Sequence, residues 1–330
     1  MNNNLDHDEI GFLLILDRML MSKKLLLTQH IKQIMELKIP ALLDNYNALL
    51  LSLADKGLLR DKGDILELTE TGTSILSSIT KEHCLHVFFY NAYYQAVLNS
   101  EAHALFCEKV YGRNLAQHGM VDLEQLDILF NEINIEKSHS VLDFGCGDGR
   151  ITEYISDNTN TLGTGIDIAP RAIQLALERT AHKRDRLRFF CVDVEKNIGS
   201  FPEEIFDDII ALDSIFFVQN LPPVVKKLVQ HLKPGGSIAL FYWYPRVGKE
   251  PFQADQTRLG KALSDLDLKY STRDLSDLNT KHWLNKKKIL LELQNMFYQE
   301  GNEFLFKNRI AECDGGLENI HRHLFLIKKD

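Results

Sequence analysis

Four aspartates, Asp143, Asp167, Asp193 and Asp213, each follow an apolar run in this chain of 330 residues. Three glycines, Gly145, Gly147 and Gly149, alternate directly after the first of them. A carboxylate at a strand tip can accept hydrogen bonds from both hydroxyls of a ribose. Glycines at that spacing let the backbone turn tightly and lie against a ligand where a Cβ would clash. Together they point to a nucleoside-bearing ligand. Two versions of that chemistry fail. A dinucleotide fingerprint needs glycine at 150, where Arg150 stands, and a phosphate-cradling loop needs a lysine that does not follow.

Elements that would position these residues can be read outward from the glycines. Val141 to Asp143 reads as the end of a buried strand, with a helix starting near Arg150. Thr161 to Asp167 is a second strand, its acid 24 residues after Asp143. Leu187 to Val192 is a third, closed by Asp193, and Phe206 to Leu212 a fourth, ending at Asp213-Ser214. Leu232-Lys-Pro-Gly-Gly236 reads as a helix stop and turn before a fifth strand, Ser237 to Trp243. Pro222-Pro223 opens the helix before it. Strands alternating with helical patterns predict an α/β fold with a doubly wound parallel sheet.

The run Val141-Leu-Asp-Phe-Gly-Cys-Gly-Asp-Gly149, followed in order by the other acids, resembles class I S-adenosylmethionine-dependent methyltransferases over roughly residues 90–330. The resemblance implies a seven-stranded, Rossmann-like sheet with an antiparallel last strand. It implies S-adenosylmethionine as cofactor and S-adenosylhomocysteine as product. Cofactor contacts would come from Asp143, Gly145, Cys146, Gly147, Asp167, Ile168, Asp193, Val194, Asp213 and Ser214. Helices over 81–135 would form a connecting lid, adding Tyr94 and Gln117 to the cofactor and Tyr90 and His118 to the acceptor. Phe216, Phe217, Tyr242 and Trp243 would line the acceptor side. An insertion over 244–280 would help shape specificity. Phe304 to Cys313, a turn at Asp314-Gly315-Gly316, and His321 to Lys328 read as the terminal hairpin.

Neither the Asn/Asp-Pro-Pro-Tyr sequence of adenine-specific DNA methyltransferases nor the paired acidic loop of protein arginine methyltransferases follows Asp213. The implied acceptor is a small molecule, with N-methylation slightly favoured over O-methylation. A general base would be His118 or His282. His83, His86 and His103 read as surface or packing residues, and Lys286-Lys287-Lys288 as a solvated helix face.

The first eighty residues form a separate pattern. Helices are expected over Ile10 to Met21, Thr28 to Leu37 with Thr28 as N-cap, and Pro40 to Lys56. A hairpin (Leu58 to Arg60, Ile65 to Leu68) and another helix follow. The order resembles a winged helix-turn-helix domain. Its third helix carries Asp44 and Asp55 but no Lys or Arg from Ala41 to Asp55. A helix seated in a DNA groove needs cations for phosphate and usually arginine for guanine. The better reading is the N-terminal dimerisation domain of small-molecule methyltransferases, giving a homodimer. The alternatives are an adenosylmethionine-responsive winged-helix regulator and an RNA methyltransferase.

Composition sets the outer limits. A hydrophobic fraction of 45% supports a sizeable core, and 38 Lys and Arg against 46 Asp and Glu leave a net charge of −8. That balance disfavours broad attraction to nucleic acid or anionic membrane. Cys84, Cys107, Cys146, Cys191 and Cys313 are scattered and form no C-x-x-C pair, so neither a disulfide framework nor a metal site is expected. No run is long enough to span a bilayer and the polar N-terminus is no secretory signal, so the expected location is cytoplasmic.

Overall fold

The computed structural model describes residues 5–196, 203–246, 253–316 and 320–330. Residues 247–252 of the expected insertion and the first four of the N-terminal segment lie outside that set. The chain divides into two compact units, Met1–Ala96 with Glu303–Asn308, and Val97–Asn302 with Arg309–Asp330.

The first unit is mainly helical: α1 (His7–Met21), α2 (Thr28–Lys38), α3 (Ala41–Asp44), α4 (Tyr46–Asp55), a hairpin of β1 (Leu59–Asp61) and β2 (Leu66–Leu68), α5 (Glu70–Glu82) and most of α6 (Leu85–Val97). Asp6 caps α1 in a reciprocal box with Glu9. The buried Glu9 carboxylate also takes Lys56 Nζ at 2.5 Å and Ser52 Oγ at 2.6 Å, tying α1 to the end of α4. The third helix is broken at Asn45 (φ −107°, ψ 11°) rather than continuous. Thr28 is not the N-cap of α2: Leu27 holds that position, and Thr28 Oγ1 donates to Gly63 O across the hairpin.

The second unit opens with α7 (Glu101–Tyr111) and α8 (Leu123–Ile133), then alternates β3 (Ser140–Phe144), α9 (Arg150–Thr159), β4 (Leu162–Asp167), α10 (Pro170–Arg179), β5 (Leu187–Cys191), β6 (Phe206–Ala211), α11 (Leu221–Gln230) and β7 (Leu232–Pro245). It closes with α12 (Arg258–Asp265), β8 (Tyr270–Asp274), α13 (Ser276–Gln299), the part of α14 (Glu303–Asp314) from Arg309 onward, and β9 (Ile320–Lys328). Seven strands form one sheet in the order β5-β4-β3-β6-β7-β9-β8. The pairs from β5 to β7 are parallel, and β9 runs antiparallel to both β7 and β8. Apolar clusters cover both faces, one around Leu142, Ile209 and Phe325, the other around Val141, Ile210 and Phe241. Neighbouring residues of each strand thus feed opposite layers.

Two expectations near the C-terminus are corrected. Residues 304–313 are not a strand but most of α14, whose buried Leu305, Arg309 and Cys313 recur every four residues, a helical period. The sixth strand is β8 instead, inside the expected 244–280 insertion. Its polar sequence YSTRD is mostly exposed, as suits a sheet edge. The expected helix stop and turn at Leu232–Gly236 is drawn into the start of β7, where the register with β6 shifts.

Lys286 also departs from the expected solvated face. Its side chain is wholly buried, 2.9 Å from Glu312 and 3.9 Å above the Trp283 ring. Lys287 and Lys288 remain outside. Removing one partner of a buried pair costs about 3–5 kcal/mol, whereas exposed pairs give under about 1 kcal/mol. Urea denaturation should therefore find Lys286→Met destabilised by roughly 3 kcal/mol or more, and Lys287→Met and Lys288→Met by under about 1 kcal/mol. Equal effects at the three positions would refute the burial of Lys286.

Candidate functional site

Chain order reverses between β3 and β6. From β3 the chain steps outward through β4 and β5, then returns to β6 on the other side. Ligands of open α/β sheets bind at the carboxyl ends of strands at such a switch point. Asp193, Asp167, Asp143 and Asp213 stand at or just past the ends of β5, β4, β3 and β6, four adjacent parallel strands, on one edge of the sheet.

Gly145, Gly147 and Gly149 all have positive φ, at 78°, 56° and 73°. Close packing also fixes two of them. A Cβ on Gly145 would lie 2.3 Å from Ser214 Cβ, and one on Gly149 would lie 2.4 Å from Phe189 Cε1. The elbow is therefore wedged between the tip of β6 and β5. Gly145 N and Cys146 N both donate to Ile166 O, and Gly147 N donates to Asp167 Oδ2 at 2.8 Å. Asp167 Oδ1 accepts from Ala169 N, so backbone on both sides aims this carboxylate.

Asp143 is 1% exposed. Thr152 Oγ1 donates to its Oδ2 at 2.7 Å, while the buried Oδ1 has no hydrogen-bond partner among the described residues. Burial pushes the Asp143 carboxyl up to about 7, with the nearby Asp167 charge adding to the shift and the Thr152 hydroxyl opposing it. Burial also raises Asp167 and Asp148, against backbone N–H donors at the first and Arg150 and Arg179 at the second. Such an edge favours a ligand that brings positive charge and an N–H donor. Burial likewise raises the Cys146 thiol and keeps it protonated. Ile168 is half-buried just past β4. Beyond β5, Asp193 Oδ1 accepts from Glu195 N and Lys196 N, and Val194 packs against the core.

Asp213 departs from its expected role. Arg322 pairs with both of its oxygens, at 2.5 and 3.1 Å, and Met120 N donates to Oδ2 at 2.5 Å. The carboxylate is thus spent on structure. Ser214 Oγ donates to Phe144 O and lies against Gly145. The following turn carries Phe216, whose ring meets Trp243 edge-on at 5.5 Å and Phe217 at 4.5 Å. Tyr242 is buried against Phe325 within the core cluster, so it is core rather than acceptor lining.

The loop from Arg113 to Gly119 reaches the same edge. A Cβ on Gly119 would come 2.7 Å from Asp213 Oδ2. Gln117 is buried, and its Oε1 accepts from Leu115 N. His118 Nε2 lies 3.4 Å from Glu312 Oε1. His282 is elsewhere: its ring is buried between α13 and α7, 5.1 Å from Tyr111 and 3.4 Å from Asp122, and burial lowers its basicity. It is a core histidine and is set aside as a base. Tyr90 and Tyr94 stand on α6 in the first unit, where Tyr94 packs edge-on against Tyr93 at 5.2 Å. Beside the elbow lies a cavity of about 370 Å³, lined among others by Asn99, Ser100, His103, Asn114 and Arg150. Among the described residues no cluster of His, Cys, Asp and Glu could hold a metal ion. No described helix is long and apolar enough to cross a membrane.

Sequence reasoning missed Thr152, Arg309, Glu312 and Arg322. Only Thr152 left a local signal, nine residues after Asp143 and on the first turn of α9. The other three act across the fold.

Residues 141–236 match a family model described as a methyltransferase domain. Phosphoethanolamine N-methyltransferase 1 of Zea mays is 28% identical over 162 residues, 48% of this chain and 32% of that protein. The chain thus spans about a third of the length of the first curated relatives it matches. The solved cyclopropane synthase MmaA2 of Mycobacterium tuberculosis shares the fold with a TM-score of 0.54 at 11% identity, covering 71% of this chain and 95% of that one. A phosphoethanolamine N-methyltransferase of Haemonchus contortus, solved with phosphomonomethylethanolamine and S-adenosylhomocysteine, gives 0.52 at 16% identity, covering 73% and 60%. The chain carries a methyltransferase domain.

The raised pKa of Asp143 has a stability consequence. Its ordinary value is 3.8 and the fold moves it to about 7. The neutral carboxyl is the form the fold prefers, so its contribution is complete below pH ~4 and is lost as pH rises through ~7. A shift of that size corresponds to about 4 kcal/mol. Denaturation series from pH 4 to 8 should show ligand-free protein losing stability across this window, and Asp143→Asn losing much less. Parallel curves would refute the assignment.

Proposed function

We propose that this chain is an S-adenosylmethionine-dependent N-methyltransferase acting on a small polar amine. The carrying observation is the buried Asp143 Oδ1, which lacks a donor beside a glycine elbow at the switch point of the sheet. An ammonium group is the donor that such an oxygen fits. In this reading Asp143 holds the amino group of the methionine part, Asp167 the ribose hydroxyls, and Asp193 with Val194 the adenine. When bound, adenosylmethionine supplies a methyl group on a sulfonium that needs no further activation. The chain's own work is then alignment, worth up to about 7–11 kcal/mol. The Phe216–Trp243 pair supplies π faces that favour a cation or an apolar group nearby. The polar cavity beside Arg150 is of a size for a small acceptor. The curated relative named above favours an amine, and phosphoethanolamine is the first acceptor to test.

Binding should be linked to Asp143. At pH 6 its carboxyl is largely protonated, and a ligand ammonium next to it drives the proton off. Titration calorimetry in buffers of different ionisation enthalpy should find about one proton released per adenosylmethionine bound at pH 6, and almost none at pH 8. Asp143→Asn should abolish the release and weaken binding at least about tenfold, the loss of one charge-assisted hydrogen bond. Absence of binding to the wild-type chain would sink the reading.

The first unit supports self-association. Its helix and hairpin order is read here as winged-helix-like, and α3 and α4 carry no cation. Leu20, Met21, Leu25 and Leu51 expose 43–74% of their surface there. Scattered apolar residues are ordinary, but four long ones in a unit this small suit a covered face. Light scattering should report a dimer at micromolar concentration, and Met21→Glu with Leu25→Glu should shift it to the monomer. An unchanged mass would exclude this face.

A further inference from the structure

We propose that the cavity beside Arg150 is an oxyanion site, in which the Arg150 guanidinium holds a phosphate or carboxylate group carried by the acceptor amine. The inference rests on the reading of the chain as a small-amine methyltransferase and adds to it the chemical class of the acceptor.

Arg150 opens α9 directly after the glycine elbow, and its side chain keeps 28% of its surface exposed. Its Nε donates to Asp148 Oδ2 at 2.9 Å. Among the described residues its two terminal nitrogens have no acceptor, and neither is buried. They form the end of a planar fork that matches two oxygens of a phosphate or carboxylate. Asn114 lines the same cavity. Its Oδ1 accepts from Ala116 N at 3.1 Å, which leaves the amide N–H groups as donors with no acceptor among the described residues. At about 370 Å³ the cavity lies at the small end of the range for ligand sites.

The charge at this place is positive. Arg150 ends a chain of ion pairs that joins α9 to α10 and the segment after it. Asp148 lies between Arg150 and Arg179, Glu153 between Arg179 and Lys183, and Asp157 between Lys183 and Arg186. Four cations thus alternate with three acids, and one positive charge is left over. At the far end Arg186 spends its fork on Asp157 and Ser156 Oγ, so Arg150 is the end with donors to offer. Two other titratable side chains line the cavity. His103 is neutral there, because burial, and then the charges of Arg309, His118 and Arg150, hold it well below its usual value. Glu101 is exposed on the first turn of α7 and forms no ion pair with Arg150. A plain amine leaves the guanidinium without a partner, whereas an amine with an oxyanion satisfies it.

The test uses the full chain saturated with S-adenosylhomocysteine, titrated in a calorimeter with phosphoethanolamine, β-alanine and ethanolamine. At least one of the two amines that carry an oxyanion should bind about tenfold or more tightly than ethanolamine, the margin of one charge-assisted contact. In Arg150→Gln that margin should vanish, and Arg150→Lys should restore part of it. Asn114→Asp should shrink it as well: the new carboxylate still accepts from Ala116 N but brings negative charge into the cavity, with Arg150 and Asp148 untouched. That variant decides the matter if Arg150→Gln does not fold. No margin in the wild type, or an undiminished one in Arg150→Gln or Asn114→Asp, would overturn the proposal. The other source of a carboxylate is separated by 5′-methylthioadenosine, which lacks the amino-acid end of S-adenosylhomocysteine. If Arg150→Gln weakens S-adenosylhomocysteine alone, leaving 5′-methylthioadenosine and the amine margin unchanged, Arg150 serves the cofactor's carboxylate and the proposal falls. If the wild type binds neither nucleoside, the proposed function itself falls, and the acceptor site with it.

Discussion

The pair between Arg322 and Asp213 is the constraint on which this architecture turns. Both side chains are almost entirely buried, at 0% and 3% exposure. Arg322 projects from the last strand, and Asp213 follows the fourth strand of the second unit at φ +59°, a left-handed conformation that a non-glycine residue rarely adopts. A buried ion pair is weak evidence of net stability, because desolvation offsets most of the attraction. Its stronger effect here is on register. Arg322 shares a face of β9 with Leu324 and Leu326, and Trp243 is its partner on β7. A slip of one residue would turn Arg322 into the opposite layer and leave Asp213 buried without its cation.

From that pair the rest of the site can be followed contact by contact. Gln125 on α8 accepts from Arg322 Nε and donates to Met120 O, so the loop before α8 closes on the same guanidinium. Met120 N and Gly119 then sit on Asp213, and Ser214 presses on Gly145. The elbow cannot relax away from Ser214, since Phe189 blocks its other end at Gly149. Asp143 is left under this roof with one oxygen bonded and the other bare. Each piece is held by a neighbour distant in sequence, as preorganisation of a binding site requires.

Legibility in the sequence follows the range of the interactions. The strand-tip acids, the glycine elbow and the helices between them were readable because each is announced within about ten residues by apolar runs and glycines. The seventh strand was readable too, from its alternation. β8 was not, because an exposed edge strand has no buried face to impose a pattern. α14 was misread because Phe304, Leu305 and Phe306 in a row carry no clear period. Lys286 looked solvated beside Lys287 and Lys288, since only the fold brings Glu312 and Trp283 to it. Asp213 followed an apolar run like the other three acids, yet its partner lies 109 residues away. Spacing reveals where a carboxylate stands, and only the fold shows what it faces.

That distinction bears on how the edge treats charge. Asp143, Asp148 and Asp167 crowd one end of the sheet, and burial raises all three. Asp148 has Arg150 and Arg179 as partners, and Asp167 has backbone N–H donors. Asp143 has a single hydroxyl. The unmet demand for a donor is therefore concentrated at one buried oxygen rather than spread over the edge. A neutral nucleoside would gain hydrogen bonds at Asp167 but nothing from that oxygen. A ligand carrying an ammonium group gains both, and its charge arrives where the surrounding dielectric is low and the attraction is least screened. Selectivity for a cationic nucleoside over a neutral one thus follows from leaving one oxygen, on one carboxyl of the three, without an internal donor.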